Sequence, residues 1–215
     1  MPETISGLYA ITPEINDTGT LLVAVRAAVE GGARIVQYRN KHAAQAKRLE
    51  HAIGLSAVCL KFGAMFIIND DVALALQVEA DGVHLGKSGG DLVKARKRLG
   101  PQRLLGASCY DDLALAQAAC DAGADHIAFG SVFASSTKPD AIRAPHSLFA
   151  DARLRGIRCP MVAIGGITAD NAPIALAAGA DLLAVIGGVF DAADPVAALR
   201  ALQSTFTLTF PSQAP

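Results

Sequence analysis

The sequence predicts an α/β chain folded as a single-domain (β/α)8 TIM barrel, on three observations. Short apolar runs alternate with longer, alanine-rich stretches of helical period; eight such runs occur, each followed by one helical stretch; and no linker interrupts them. Strands that are each followed by a helix belong to a parallel sheet covered on both faces. Eight units in 215 residues, 52% of them hydrophobic, suit closure into a barrel better than an open sheet with two edges.

In chain order, the first strand spans 8–11, and its helix, 19–30, stops at Gly31-Gly32. The second strand, 34–38, leads to a helix over 43–61 that ends at Gly63. The third, 65–68, is followed by a helix over 72–78, for which Asp71 is a good N-cap. Strand 82–85 precedes helix 92–99 and Gly100, and strand 104–107 precedes helix 113–122 and Gly123. Strand 126–129 reaches helix 148–155 and Gly156 through a long loop. Strand 161–164 pairs with helix 172–178 and Gly179, and strand 182–186 with helix 195–202. Glycines after helices supply the left-handed residue that turns the chain into the next strand. The barrel therefore occupies residues 1–204. Residues 205–215, which have no place in the eight units and carry Pro and Ser, are expected to be a loosely held C-terminal tail.

Lys plus Arg (19) nearly balances Asp plus Glu (20), which excludes the general basic field that would attract nucleic acid or an anionic membrane. Any anion site must be local. Cys59, Cys109, Cys120 and Cys159 lie in separate segments without close-set pairs, and read as reduced fillers. No apolar run approaches the roughly 18 residues of a membrane span, and the N-terminus has no signal core, so a cytoplasmic protein is expected.

In such barrels the working residues sit where strands end on one rim. Gln37, Arg39 and Lys41 leave the second strand at spacing two, which in an extended chain places them on one face. Two cations there need an anion, either a phosphate ligand or a structural carboxylate closing an ion-pair network. Asn69 and Asp70 follow the third strand, Ser108 the fifth, and Ser135, Ser136, Thr137 and Lys138 the sixth. Gly165-Gly166 and Gly187-Gly188 follow the seventh and eighth, where backbone N–H groups hold a phosphate monoester in phosphate-binding barrels, although each pair alone also fits a tight turn. His84, inside a strand, reads as a hydrogen-bonded barrel histidine, and His42, His51, His126 and His146 show no metal-ligand spacing.

These stretches together resemble thiamine phosphate synthases. The likeness runs through Val36-Gln37-Tyr38-Arg39-Asn40-Lys41, Ile67-Ile68-Asn69-Asp70-Asp71, Ala80-Asp81-Gly82-Val83-His84-Leu85-Gly86, Gly106-Ala107-Ser108, Phe129-Gly130-Ser131-Val132-Phe133, Ser136-Thr137-Lys138-Pro139 and Val162-Ala163-Ile164-Gly165-Gly166-Ile167. It implies a transferase that joins hydroxymethylpyrimidine diphosphate to a thiazole phosphate, releasing pyrophosphate, through a cation-like pyrimidine. By that resemblance the pyrimidine diphosphate lies against Gln37, Tyr38, Arg39, Asn40, Lys41, Asn69, Ser108 and Lys138. Arg39, Lys41, Ser108 and Lys138 carry the catalysis. The thiazole phosphate lies at Ser135, Ser136, Thr137, Gly166, Ile186 and Gly187.

The resemblance also implies a magnesium ion held by two aspartates. Asp70 matches the first, but the second falls on Gly89, leaving Asp71 or a shifted Asp91 to help, or Lys87 to supply fixed charge. Gly187 stands where many relatives have serine, and Ser135 where threonine is usual. Two other readings stay open: a thiazole tautomerase-like paralogue, which would use a histidine where this chain has Ser131, and a non-catalytic protein that binds thiamine precursors. The expected partners are small phosphorylated substrates and further copies of the chain in a homo-oligomer.

Overall fold

The computed structural model describes residues 5–135 and 142–209. Among the described residues, eight parallel strands close into a barrel in sequence order: β1 (Gly7–Ile11), β2 (Ala33–Tyr38), β3 (Met65–Asn69), β4 (Gly82–Leu85), β5 (Leu104–Tyr110), β6 (His126–Phe129), β7 (Met161–Ile164) and β8 (Leu182–Val185). The helices are α1 (Thr18–Glu30), α2 (Gln45–Phe62), α3 (Val72–Gln77), α4 (Leu92–Leu99), α5 (Leu113–Asp121), α6 (Ser147–Leu154), α7 (Ala172–Ala177), α8 (Gly187–Phe190) and α9 (Pro195–Thr209). None of the described helices is long and apolar enough to cross a membrane.

Alternation along each strand divides the core. Tyr9, Ile11, Ile35, Ile67, Ala128, Val162, Leu182 and Ala184 point into the barrel, while Leu8, Val36, Phe66, Val83, Leu105, Ile127 and Leu183 pack outward against helices. The helix signals act as their chemistry predicts. Asp17, Asp71, Asp91 and Asp112 each accept a hydrogen bond from a backbone N–H in the first turn of the helix that follows.

At the N-terminal rim one device recurs. Asp81, Asp125 and Asp181 stand just before β4, β6 and β8. Their carboxylates accept from Phe66 N at 2.6 Å, Leu105 N at 2.7 Å and Met161 N at 2.7 Å, at the start of the preceding strand. Arg96 and Arg153 pair with Asp125 and Asp181, so two of these links are charge-assisted. A carboxylate here occupies both the orphan strand donors and a cation, fixing the register of each pair of strands far from the mouth.

Three sequence expectations change. The loose tail does not begin at Thr205, because α9 continues to Thr209; Leu199, Leu202 and Thr205 are buried, and Phe206 packs on the core. Cys120 and Cys159 are not both free: they are joined as a disulfide, with Cα atoms 6.3 Å apart, while Cys59 and Cys109 remain free and buried. A sequence separation of 39 hides the pairing in the sequence, but successive units are neighbours around the barrel. Finally, the one-turn helix α8 at Gly187 is an addition to the eight repeating units.

Asp181→Ala strands the Met161 N–H and frees Arg153, and should lower stability by about 2 kcal/mol. Urea denaturation reads this as a lower midpoint; an unchanged midpoint would show that the rim carboxylate is dispensable.

Candidate functional site

Closure brings the upper ends of the strands to one mouth, where a cavity of about 670 Å³ opens. Its walls include Gln37 of β2 and Arg39 just after it, Asn69 of β3, His84 of β4, Ser108 and Tyr110 of β5, and Ser135 in the loop after β6. Gly165, Gly166, Ile186, Gly187 and Gly188 complete the far side. Gly166 has φ of 62°, and a Cβ there would run into the Ala134 carbonyl, so the turn requires glycine and keeps its backbone open to the cavity.

Beneath the mouth the barrel holds a polar chain. Gln37 Nε2 donates to Tyr9 Oη at 2.7 Å, and burial pushes the Tyr9 phenol above its usual pKa, an effect the Gln37 bond partly offsets. His84 Nε2 lies 2.9 Å from Ser108 Oγ, and His84 Nδ1 lies 3.3 Å from His126 Nε2. Burial pushes His84 down to about 4, opposed by the Asp70 charge, and pushes His126 down to about 3, helped by His84. Both rings are therefore neutral near pH 7.

A second cavity, of about 260 Å³, adjoins the first. Tyr38, Asn40, Lys41, Arg48, Asp70, Asp71 and Ser88 line it, and Asn69 lines both cavities. The Asp70 carboxylate accepts from Gly86 N at 2.7 Å and from Ser88 Oγ at 3.3 Å. Asp70 and Tyr110 are both left-handed, with φ of 57° and 56°, and the Tyr110 hydroxyl accepts from Lys87 N at 2.9 Å. Two strained residues thus hold the β4–α4 loop against the mouth.

The residues after β2 do not share one face. β2 ends at Tyr38, so the period of two lapses: Gln37 and Arg39 turn to the large cavity, Lys41 to the small one. Arg39 meets a structural carboxylate, the alternative that the sequence left open without naming the acid: its Nη1 is 3.1 Å from Glu14 Oε1, in the loop after β1. The pair is partly exposed and contributes little to stability. Tyr38 and Asn40 are largely engaged in the scaffold. The Tyr38 hydroxyl lies 3.0 Å from His51 Nδ1, and Asn40 Oδ1 accepts from His42 N and Ala43 N. Asp71 and Asp91 cap α3 and α4, and Asp71 also faces Arg48 at 3.4 Å, so neither is a free carboxylate. Ser136, Thr137 and Lys138 lie outside the described residues.

A model of the thiamine monophosphate synthase family matches residues 8–189. The chain belongs to that family. It is 53% identical to the thiamine-phosphate synthase of Chromobacterium violaceum over 206 residues, covering 96% of this chain and 99% of that one. It is 51% identical to that of Aromatoleum aromaticum, at 96% and 99% coverage. Thiamine phosphate pyrophosphorylase from Pyrococcus furiosus superposes with a TM-score of 0.85 at 34% identity, covering 94% of this chain and 96% of its own.

Within this family framework the Gly89 departure gains a geometric meaning. A Cβ at Gly89 would sit 2.5 Å from Asp70 Oδ1, so that position faces the Asp70 carboxylate and in this chain adds no side chain to it. Among the described residues no group of three or more His, Cys, Asp or Glu is placed to hold a metal ion. Sequence reasoning missed Tyr9, His84 and His126 as parts of the site, and Arg48, Tyr110 and Glu14 as its surroundings. For His84 the available signal was its inward register opposite Gly106, two residues before Ser108.

The histidine pair makes the fold acid-sensitive. Once unfolded, each imidazole takes a proton near its ordinary pKa of 6.5; folded, each stays neutral down to about 4 or 3. The unfolded state binds more protons in that window, so stability should fall as pH drops from about 6.5 toward 4. Urea midpoints across this range should fall less steeply for His126→Phe than for the native chain; equal slopes would contradict the assignment.

Proposed function

We propose that this chain condenses 4-amino-2-methyl-5-hydroxymethylpyrimidine diphosphate with a thiazole phosphate to give thiamine phosphate and pyrophosphate. The observation that carries the reading is the pair of cavities sharing Asn69. One is large and ends in the glycine turns at Gly166 and Gly187. The other is small and polar, and presents Lys41 beside Asp70. A substrate spanning Asn69 would keep its ring in the large cavity and its diphosphate in the small one.

In the reaction the methylene carbon–oxygen bond breaks, its electron pair leaves with pyrophosphate, and the thiazole nitrogen forms the new bond to that carbon. Negative charge gathers on the departing oxygens, so Arg39, Lys41 and Lys138 favour the transition state over the ground state. The aminopyrimidine spreads the positive charge left behind, and confinement beside the thiazole supplies the trap. Ser108 faces the ring or the bridging oxygen. Backbone N–H groups at Gly166 and Gly187, with Ser135, Ser136 and Thr137, receive the thiazole phosphate.

A magnesium ion fits this mouth as a single-carboxylate site, with Asp70, Ser88 and substrate phosphates as its oxygen ligands, because magnesium keeps several waters and needs few protein ligands. When bound it would neutralise diphosphate charge. The tautomerase reading loses support, because Ser131 Oγ donates to Phe133 O at 2.6 Å and offers no base. The substrates suit a cytoplasmic enzyme.

Incubation with both substrates and magnesium should yield pyrophosphate and thiamine phosphate in equal amounts; absence of either product overturns the proposal. Arg39→Ala and Lys41→Ala should each lower kcat/KM by on the order of a hundredfold or more, with unchanged melting temperature. Loss of folding would instead make these cations structural. Gly89→Asp, which adds a second carboxylate beside Asp70 once that side chain turns away from the new Cβ, should lower the magnesium concentration for half-maximal activity. An unchanged requirement would show that one carboxylate suffices.

A further inference from the structure

The buried imidazoles below the mouth form a chain whose proton positions can be worked out. One proton lies between His126 Nε2 and His84 Nδ1, 3.3 Å apart, and one between His84 Nε2 and Ser108 Oγ, 2.9 Å apart. His126 is fully buried, and its Nδ1 has no partner among the described residues. The Tyr9 hydroxyl on β1 accepts from Gln37, and the Tyr9 ring meets His126 edge-on.

Two neutral arrangements satisfy both contacts. In one, His126 carries its proton on Nδ1, where it is a stranded buried donor; His84 then protonates Nδ1 and accepts from Ser108, which shows the cavity only lone pairs. In the other, His126 carries its proton on Nε2 and donates to His84 Nδ1. His84 must then hold its own proton on Nε2 and donate to Ser108 Oγ, leaving the serine proton free to point into the cavity. Orphaned buried N–H groups are the rarer defect, so the second arrangement prevails. With His126 fully buried and His84 nearly so, an uncompensated charge on either ring is disfavoured, and the neutral arrangement holds.

Gly106, on β5 between the rings, makes the contact available: a Cβ there would overlap both, with His84 Nδ1 only 2.5 Å away. The ring centroids are 5.5 Å apart and the planes lie 29° from parallel, an edge-to-edge placement that an N–H···N bond in the ring planes requires.

We propose that His126 is a positioning residue that, through the tautomer of His84, fixes Ser108 as a hydrogen-bond donor to the mouth cavity. The serine then meets an anionic or electron-rich substrate atom with a proton already oriented toward it. The substrate side of this inference rests on the proposed condensation, where charge gathers on the leaving diphosphate; the tautomers do not.

Two-bond ¹H–¹⁵N correlation spectra of the chain labelled with ¹⁵N-histidine at pH 7.5 test the tautomers without substrate, with single substitutions assigning the signals. Nε2-protonated, neutral patterns are expected for both His84 and His126; an Nδ1-protonated His84 would overturn the proposal. Kinetics give the second arm. His126→Phe keeps the ring and removes the donor, and should lower kcat about tenfold, close to the loss of one hydrogen bond in the transition state, with little change in KM. His126→Gln, which can again present an N–H to His84, should recover most of that loss. In a Ser108→Ala background His126→Phe should cost nothing further, whereas an equal cost there would make His126 merely structural. If the native chain shows the expected tautomers yet forms no thiamine phosphate, the condensation reading fails and the tautomer assignment stands. Should His126→Phe fail to fold, the native spectrum still decides.

Discussion

Barrel closure is the constraint on which everything else rests. Side chains alternate along every strand, and the eight strands run parallel in a ring, so the last inward residues of neighbouring strands are brought to one opening whatever their distance in sequence. Gln37, Asn69, His84 and Ser108 come from four consecutive strands and meet there without any local motif. The opposite rim is held by a different chemistry: Asp81, Asp125 and Asp181 each hold a strand start, and the last two also pair with Arg96 and Arg153. Stability and chemistry thus occupy opposite ends of the same strands.

Charge at the mouth is arranged in parts. Arg39 rests against Glu14, a weak and partly solvated pair, while Lys41 stands with Asp70 in the adjoining cavity. Asp70 is itself held by Gly86 and Ser88. The absence of a side chain at Gly89 leaves this carboxylate without the second acid that its family resemblance implies. The loop that carries Gly89 is pinned by Tyr110 and Asp70, both in the left-handed region. Strain of that kind persists where surrounding contacts over-determine the backbone, which here are those linking β3, β4 and β5.

Much of this was legible in the residues. All eight strands stand where apolar runs bounded by glycine and helix caps place them, because local periodicity and turn chemistry agree with the global fold. The parts that escaped notice depend on distance. Glu14 finds Arg39 across 25 residues, and His84 finds His126 across 42, contacts that appear only once neighbouring strands are in register. Periodicity also misled where it stopped applying: Gln37, Arg39 and Lys41 keep their spacing, but the strand ends at Tyr38 and Lys41 turns away. The Pro and Ser content of 205–215 sets that stretch outside the eight units in sequence, yet Thr205 and Phe206 continue the packed face begun by Leu199 and Leu202.

The account's central claim is that two cavities sharing Asn69 divide the reacting groups between them. A crystal structure of the chain with thiamine phosphate and pyrophosphate tests it most directly. Pyrophosphate is expected beside Lys41 and Asp70, with the phosphate of thiamine phosphate at the Gly166 and Gly187 turns. Pyrophosphate bound away from Lys41 and Asp70, or both anions crowded into one cavity, would contradict it.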